Sequence, residues 1–428
     1  MANDLANMRR IQRRQKVWLL VFSMLSFALS YATAIVLARG LGADGYDNYA
    51  VAVSFAAILA TLAEMGTGKY ALRIMPAYSE RHDWSAARGY LRFSMRWTLI
   101  ASLSLAIIGA VWEYSRDGVF GNYALGVVLL FLPAMAWVGA GSEFVTANQA
   151  AIRSGFVTRL LVPGVTLLLA LLWIESRFTL TATSGGICYG LGWLAGVIAV
   201  YCLVLRTTRK EILNATPVFK NSEWLKSIWP FLYFALLISV LAKIGVIILE
   251  VVAQNEAIVS IYSVAAETGM FIGIVAKSTD KLYLSNVSTL LERRDLDGLK
   301  HLARVRWLWI GSITLLFLSA TFFFGKQILA MFGEEFVEGY AALCVVAVSS
   351  SVWTMNSLTP AFLKYLHRQK LVVITTTLTV LIHVLFCVPL GYWFGATGAA
   401  VSYAIPVIGM YLMMAVLARQ ELTRISAD

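Results

Sequence analysis

The chain has 428 residues, 59% of them apolar and 14% charged, with a mean hydropathy of +0.73. Soluble proteins carry nearer a quarter charged residues, so a water-soluble globular protein is excluded and a polytopic membrane protein is indicated. The formal charge of +11 would suit a nucleic-acid partner, but the placement of the cations gives it another cause.

Twelve apolar runs are long enough to span a bilayer: 17–38, 48–66, 93–112, 121–147, 156–175, 185–205, 228–252, 257–280, 305–325, 337–361, 370–393 and 396–418. A helix rises about 1.5 Å per residue, and the hydrocarbon core is about 30 Å thick. Backbone in lipid must satisfy its own hydrogen bonds, and no ten-residue alternating pattern appears, so the spans are predicted to be helices. The first run is read as a retained span, because it is too long for a signal peptide and flows into a reversing turn.

That turn lies within Leu37–Ser54, LARGLGADGYDNYAVAVS. Gly42 and Gly45 allow the backbone to reverse, and Tyr46 and Tyr49 are expected to place rings at the membrane interface. Tyr262-Ser263-Val264-Ala265 echoes Tyr49-Ala50-Val51-Ala52. Tyr340-Ala341-Ala342 echoes Tyr123-Ala124-Leu125, and Gly398 to Tyr403 echoes Ser184 to Tyr189, at a near-constant offset. Two related halves of six spans each follow. Each half starts and ends on the same side, as parallel repeats about an axis along the membrane normal. The expected division is an N-terminal lobe over 1–210, a cytoplasmic linker over 211–227 and a C-terminal lobe over 228–428.

Lysine and arginine set the orientation. Of the 35, only Arg39, Arg116, Arg177 and Lys326 fall on one side, and Lys243 lies inside a span. The rest collect on the side of both termini, which is therefore expected to be cytoplasmic. This asymmetry accounts for the basic charge without nucleic acid. The outer loops are short and leave no room for a catalytic domain. Pro76–Arg96 and Leu282–Arg306 are basic and amphipathic, and are expected to lie as short helices on the inner surface.

Sites for chemistry are absent from the pattern. Gly66-Thr67-Gly68-Lys69 lacks the remaining residues of a phosphate loop, and Gly190-Leu191-Gly192 lies within a span. There is no HExxH and no GxSxG. The four cysteines lie in apolar runs without a CxxC pair, so neither disulfide nor metal roles are expected. The chain is predicted to be no enzyme and to need no cofactor or metal.

Ionisable groups at membrane depth cost about 2.5–3.5 kcal/mol each and are functional candidates by default. Lys243 and Glu250 share a face of span 7, Glu267 is in span 8 and His383 in span 11. Glu64 and Lys69 stand near the inner end of span 2, Glu143 near that of span 4 and Arg159 at the start of span 5. In the functional reading, Lys243, Lys69, Arg73 and Arg159 offer positive charge to an anionic substrate in a cavity. Glu267 and Glu250 share that cavity and, with His383, are candidates for ion coupling. In the plain reading these groups pair structurally: Lys243 with Glu267, Glu64 with Lys69, and Glu143 with Arg159.

Several segments together resemble one family. LARGLGADGYDNYAVAVS looks like the span 1–2 signature of the polysaccharide-export branch of the multidrug/oligosaccharidyl-lipid/polysaccharide (MOP) flippase superfamily. IVSIYSVAAE, MFGEEFVEGYAALCVVAVS and GATGAAVSYAIP resemble its span 8, 10 and 12 starts. The resemblance implies a V-shaped, MATE-like pair of six-helix lobes working by alternating access. It implies a polyprenyl-pyrophosphate-linked oligosaccharide, such as an O-antigen repeat unit, moved across a bacterial inner membrane. A polysaccharide polymerase is a further expected partner. The alternative is a cation-coupled, MATE-like exporter of small molecules. The family pattern bears on fold residues such as Gly42, Gly45, Tyr46 and Tyr49 more than on substrate ligands.

Overall fold

A computed structural model describes residues 25–114, 123–276, 280, 283, 287, 296–366 and 368–427. Residues 17–24 of the first expected span, 277–279 of the eighth, Arg116 and most of the 282–295 stretch lie outside the described residues. No strand occurs among the described residues, and the protein is an all-α integral membrane protein.

The chain begins with α1 (Leu25–Leu41), α2 (Ala43–Ala63) and α3 (Thr67–Glu80). α4 (Trp84–Tyr114), α5 (Tyr123–Leu130), α6 (Leu132–Ala147) and α7 (Ala151–Phe156) follow. A π-helical turn, Val157–Leu161, leads into α8 (Val162–Glu175). Pro163 has no N–H to offer the preceding turn, which accounts for the widened helix there. Next come α9 (Ala182–Thr207), α10 (Lys210–Asn214), α11 (Asn221–Val252) and α12 (Ala257–Gly269). The last four are α13 (Leu296–Ala330), α14 (Tyr340–Met355), α15 (Thr359–Tyr365) and α16 (Gln369–Ala427).

Among the described residues nine helices are long and apolar enough to cross a membrane, and ten if the bent pair α5–α6 is one span. The helices occupy the expected positions, but the count of twelve is not itself established. The described part of the first run forms the shorter α1. The eleventh and twelfth runs join in α16, whose 59 residues would extend about 90 Å, about three core thicknesses. Its break, Gly395 at φ 54° and ψ −131°, falls between the two expected runs. α2 and α3 are separated in the same way, at Met65 (φ 51°) and Gly66 (φ 69°).

Two expectations are corrected here. Tyr46 and Tyr49 are not exposed interface anchors: they are 3% and 7% exposed, and the Tyr49 ring meets Tyr189 edge-on at 6.2 Å. The reversal they flank needs only Gly42 (φ 71°), so both tyrosines start α2 facing its helical neighbours. Pro76–Arg96 is not a separate surface helix. Pro76 lies in α3, and Arg88, Arg92 and Arg96 belong to the first turns of α4, which a long apolar run carries straight into its span.

The described residues form two compact units, one within 28–247 and the other within 248–427 together with 25–27. In the first, Ala52, Ala56, Ala60 and Ala63 of α2 pack on Ala124, Leu125, Val128, Leu132 and Met135. Small side chains of this kind allow close backbone approach where lipid supplies no hydrophobic drive. A second cluster is aromatic, with Tyr70, Tyr78, Tyr90, Phe93, Phe144 and Trp224 buried together.

Residues 208–224 are part of that first unit. Thr208 Oγ1 accepts from Asn148 Nδ2 at 3.1 Å, and Arg88 donates to the Ala215 carbonyl at 2.5 Å. The Val218 N–H donates to the Ser85 carbonyl at 3.1 Å. Lys220 lies 3.6 Å from Asp83, and Trp224 donates to the Tyr78 hydroxyl at 2.9 Å. The stretch is a strap laid along the start of α4.

Candidate functional site

The charges of the first unit gather where α2 breaks into α3. Gly66 takes a left-handed conformation and the Thr67 hydroxyl donates to the Glu64 carbonyl at 2.8 Å, closing the turn. Gly68 lets α3 approach α6: a Cβ there would stand 3.0 Å from Ala140 Cα and 3.3 Å from Glu143 Cβ. The approach brings Lys69 into an ion pair with Glu143. The Glu64 carboxyl lies where a Cβ on Gly139 would be. Lys69 therefore pairs with Glu143 rather than with Glu64, and Glu143 pairs with it rather than with Arg159. Glu64 and Lys69 are near each other in the chain, but the partner of Lys69 arrives from another helix.

Beneath this pair, Ser94 donates to Thr67 Oγ1 at 2.8 Å, and the Tyr90 hydroxyl donates to the Thr67 carbonyl at 2.6 Å. Arg73 is exposed on α3, and Arg159 is exposed on the π-helical turn. Lys243 is half-buried on α11, in the first unit.

Glu250, Glu267 and His383 belong to the second unit. Glu267 is exposed on α12. One carboxylate oxygen of Glu250 is buried without a hydrogen-bond partner among the described residues. His383 is fully buried, with Nδ1 3.1 Å from Ser402 Oγ and its ring edge-on to Tyr403. Ser402 spends its proton on the Ala399 carbonyl at 2.7 Å. His383 Nδ1 is therefore the donor, and Nε2 is left without a partner among the described residues.

Sequence reasoning missed Arg306, which it counted among loop cations. Arg306 is 6% exposed, and donates to Asp280 Oδ1 at 2.8 Å, Ser357 Oγ at 2.7 Å and the Met355 carbonyl at 3.0 Å. The Tyr283 ring lies 5.6 Å from its guanidinium. A signal was present in the repeat. Thr67 and Ser94 of the first half correspond to Asp280 and Arg306 of the second, so each unit ties the same two places together, one by hydroxyls and one by an ion pair. No group of three or more His, Cys, Asp or Glu placed to share a metal ion occurs among the described residues.

In the first unit the part-buried Glu64 follows α2, and the part-buried Glu143 of α6 faces Lys69 of α3. Residues 13–279 match the family described as polysaccharide biosynthesis protein. No curated protein matches the chain. Among solved structures, a multidrug resistance MATE family transporter of the MOP superfamily in an inward-facing conformation is similar over 96% of this chain and 99% of its own. Its TM-score is 0.73 at 15% identity. An outward-facing conformation of a multidrug resistance MATE family transporter of the MOP superfamily gives 0.65 at 17% identity, over 96% of each chain. A MATE protein in a bent conformation gives 0.64 at 14% identity, over 97% of this chain and 96% of its own. At such identities the likeness is one of fold. The family match spans more than half of the sequence, and the chain belongs to the polysaccharide biosynthesis protein family and has a MATE-like fold.

Proposed function

We propose that the protein is a flippase for a polyprenyl-pyrophosphate-linked oligosaccharide, such as an O-antigen or exopolysaccharide repeat unit. It moves the head group from the cytoplasmic to the outer leaflet of a bacterial inner membrane by alternating access. The observation that carries this reading is the coincidence of a polysaccharide biosynthesis family match with a transporter fold. A protein that serves glycan assembly by transport has a lipid-linked glycan as its natural cargo. On this reading both termini are cytoplasmic, as the distribution of Lys and Arg favours.

The pyrophosphate meets Lys243 in this scheme. Lys69 is the second cation in the scheme, and it is paired with Glu143. Arg73 and Arg159 are the further cations available to the substrate. Glu250, Glu267 and His383 are the groups available to couple a proton or cation. A polysaccharide polymerase is the partner expected to receive the product.

The test is flipping in proteoliposomes loaded with a polyprenyl-pyrophosphate oligosaccharide, followed by access of an added lectin to the sugar. Protein-dependent loss of leaflet protection is the expected result. The solved neighbours include multidrug resistance transporters, which favours cation-coupled small-molecule export as the second reading. Absence of flipping with several glycans, together with cation-dependent efflux of small molecules, would establish that reading instead.

A further inference from the structure

α4 and α13 carry the same pattern at the start of their spans. In α4, Arg92 and Arg96 are one turn apart, and both are exposed. Leu99, Ile100, Leu103, Ile107 and Val111 continue the exposed stripe, while Ser94, Thr98 and Ser102 on the opposite side are buried. In α13, Arg304, Trp309 and Leu315 are exposed at the same separations as Arg92, Trp97 and Leu103, and Arg306, Ile310 and Thr314 are buried opposite. Both helices thus turn an apolar stripe headed by arginine away from their own unit's interior.

Arg92 and Arg96 make no ion pair or hydrogen bond among the described residues. Arg88, one turn earlier, is committed to the Ala215 carbonyl. Trp84 to Trp112 contains no acidic residue to answer the two guanidiniums. Side chains four apart on a helix stand about 5–6 Å from each other at Cβ, a spacing at which two planar forks can grip one phosphate. Trp97, 37% exposed, adjoins them, and tryptophan settles at headgroup depth.

We propose that Arg92, Arg96 and Trp97 form a docking site for the headgroup phosphate of an anionic phospholipid, whose acyl chains run along the Leu99–Val111 stripe. Charge complementarity selects this occupant: the site offers two uncompensated cations beside a wholly apolar path. In the orientation proposed above, the headgroup belongs to the cytoplasmic leaflet. α13 supplies an internal control. Leu308 stands where Arg96 does, and Arg306 is turned inward onto Asp280, so among the described side chains Arg304 alone remains at this place and the counterpart holds lipid weakly.

Native mass spectrometry of the purified full chain, with phosphatidylglycerol or phosphatidylcholine added, tests this without any glycan. It is independent of the identity of the transported cargo. The wild type should retain phosphatidylglycerol over phosphatidylcholine by at least about fivefold, the scale of one interfacial cation. R92Q/R96Q should abolish the preference with an unchanged melting temperature, because both side chains are exposed. R92K/R96K should keep part of it, and R304Q should leave it intact. Inorganic pyrophosphate should not displace the lipid. Equal retention of the two lipids by the wild type, or full preference in R92Q/R96Q, would overturn the proposal. Displacement by pyrophosphate would overturn it too, in favour of a site for a free phosphate group.

Discussion

Gly42 and Gly66 share a left-handed backbone, at φ 71° and 69°, but their surroundings differ. A Cβ on Gly42 would meet nothing within 4 Å, whereas one on Gly66 would stand 2.5 Å from Leu232 N and 2.9 Å from the Ile228 carbonyl. Gly42→Ala should cost only the conformational penalty, roughly 1–2 kcal/mol. Gly66→Ala adds an overlap with backbone that cannot rotate away, and should lower the melting temperature in detergent several times further. Equal shifts for the two variants would show that α11 yields at this contact. The sequence made Gly42 legible as a turn through its neighbours Gly40 and Gly45. Nothing in it marked Gly66 as a contact, because Leu232 is distant in the chain. The same limit applies to the charges. Glu64 and Lys69 are close in sequence, yet Lys69 is held by Glu143, whose helix reaches it only through the glycines at 68 and 139.

Among the elements, the strap of residues 208–224 departs furthest from its appearance in the sequence. A polar stretch between long apolar runs has the composition of a linker. In the folded chain it is held by backbone, guanidinium and indole hydrogen bonds, with Ile212 and Trp224 fully buried. Gly89 makes room for it, since a Cβ there would overlap the Val218 carbonyl. Gly89→Ala should therefore lift the strap without touching the spans. Limited proteolysis within 208–220 should quicken at least about tenfold, the effect of about 1.4 kcal/mol on local opening. An unchanged cleavage rate would show that the strap does not depend on this contact. The helices themselves were legible, because twelve apolar runs of spanning length have no other way to satisfy their backbone in lipid. The break in α16 at Gly395 was legible too, as the gap between runs 370–393 and 396–418.

For the whole molecule, the proposed transport draws on the membrane potential. A negative interior favours outward movement of an anion by about 2.3 kcal/mol per charge per 100 mV. Flipping of the lipid-linked glycan in proteoliposomes should therefore quicken under a potential that drives anions outward. Lys243→Ala should slow flipping by about tenfold or more while leaving the yield of folded protein unchanged, the loss of roughly one charge-assisted phosphate contact. Unchanged flipping in this variant would remove Lys243 from the mechanism. The repeated halves also appear at this scale. Thr67–Ser94 in one unit and Asp280–Arg306 in the other join corresponding places with different chemistry. An ancestral packing scheme can persist while its polar contents change, because helix positions are set by the apolar runs.

Composition and hydropathy alone determined the class and the helical spans, because hydropathy acts over contiguous stretches of chain and needs no partner, while the family resemblance rested on short segments such as LARGLGADGYDNYAVAVS. Only the tertiary structure decided that Lys69 is paired with Glu143, that Tyr46 and Tyr49 face inward and that Arg306 is held in a buried ion pair. It also decided that the presumed linker is bound to the first unit. Each of these depends on a neighbour contributed by a distant part of the chain, and on close backbone approaches at glycine that no local pattern reveals.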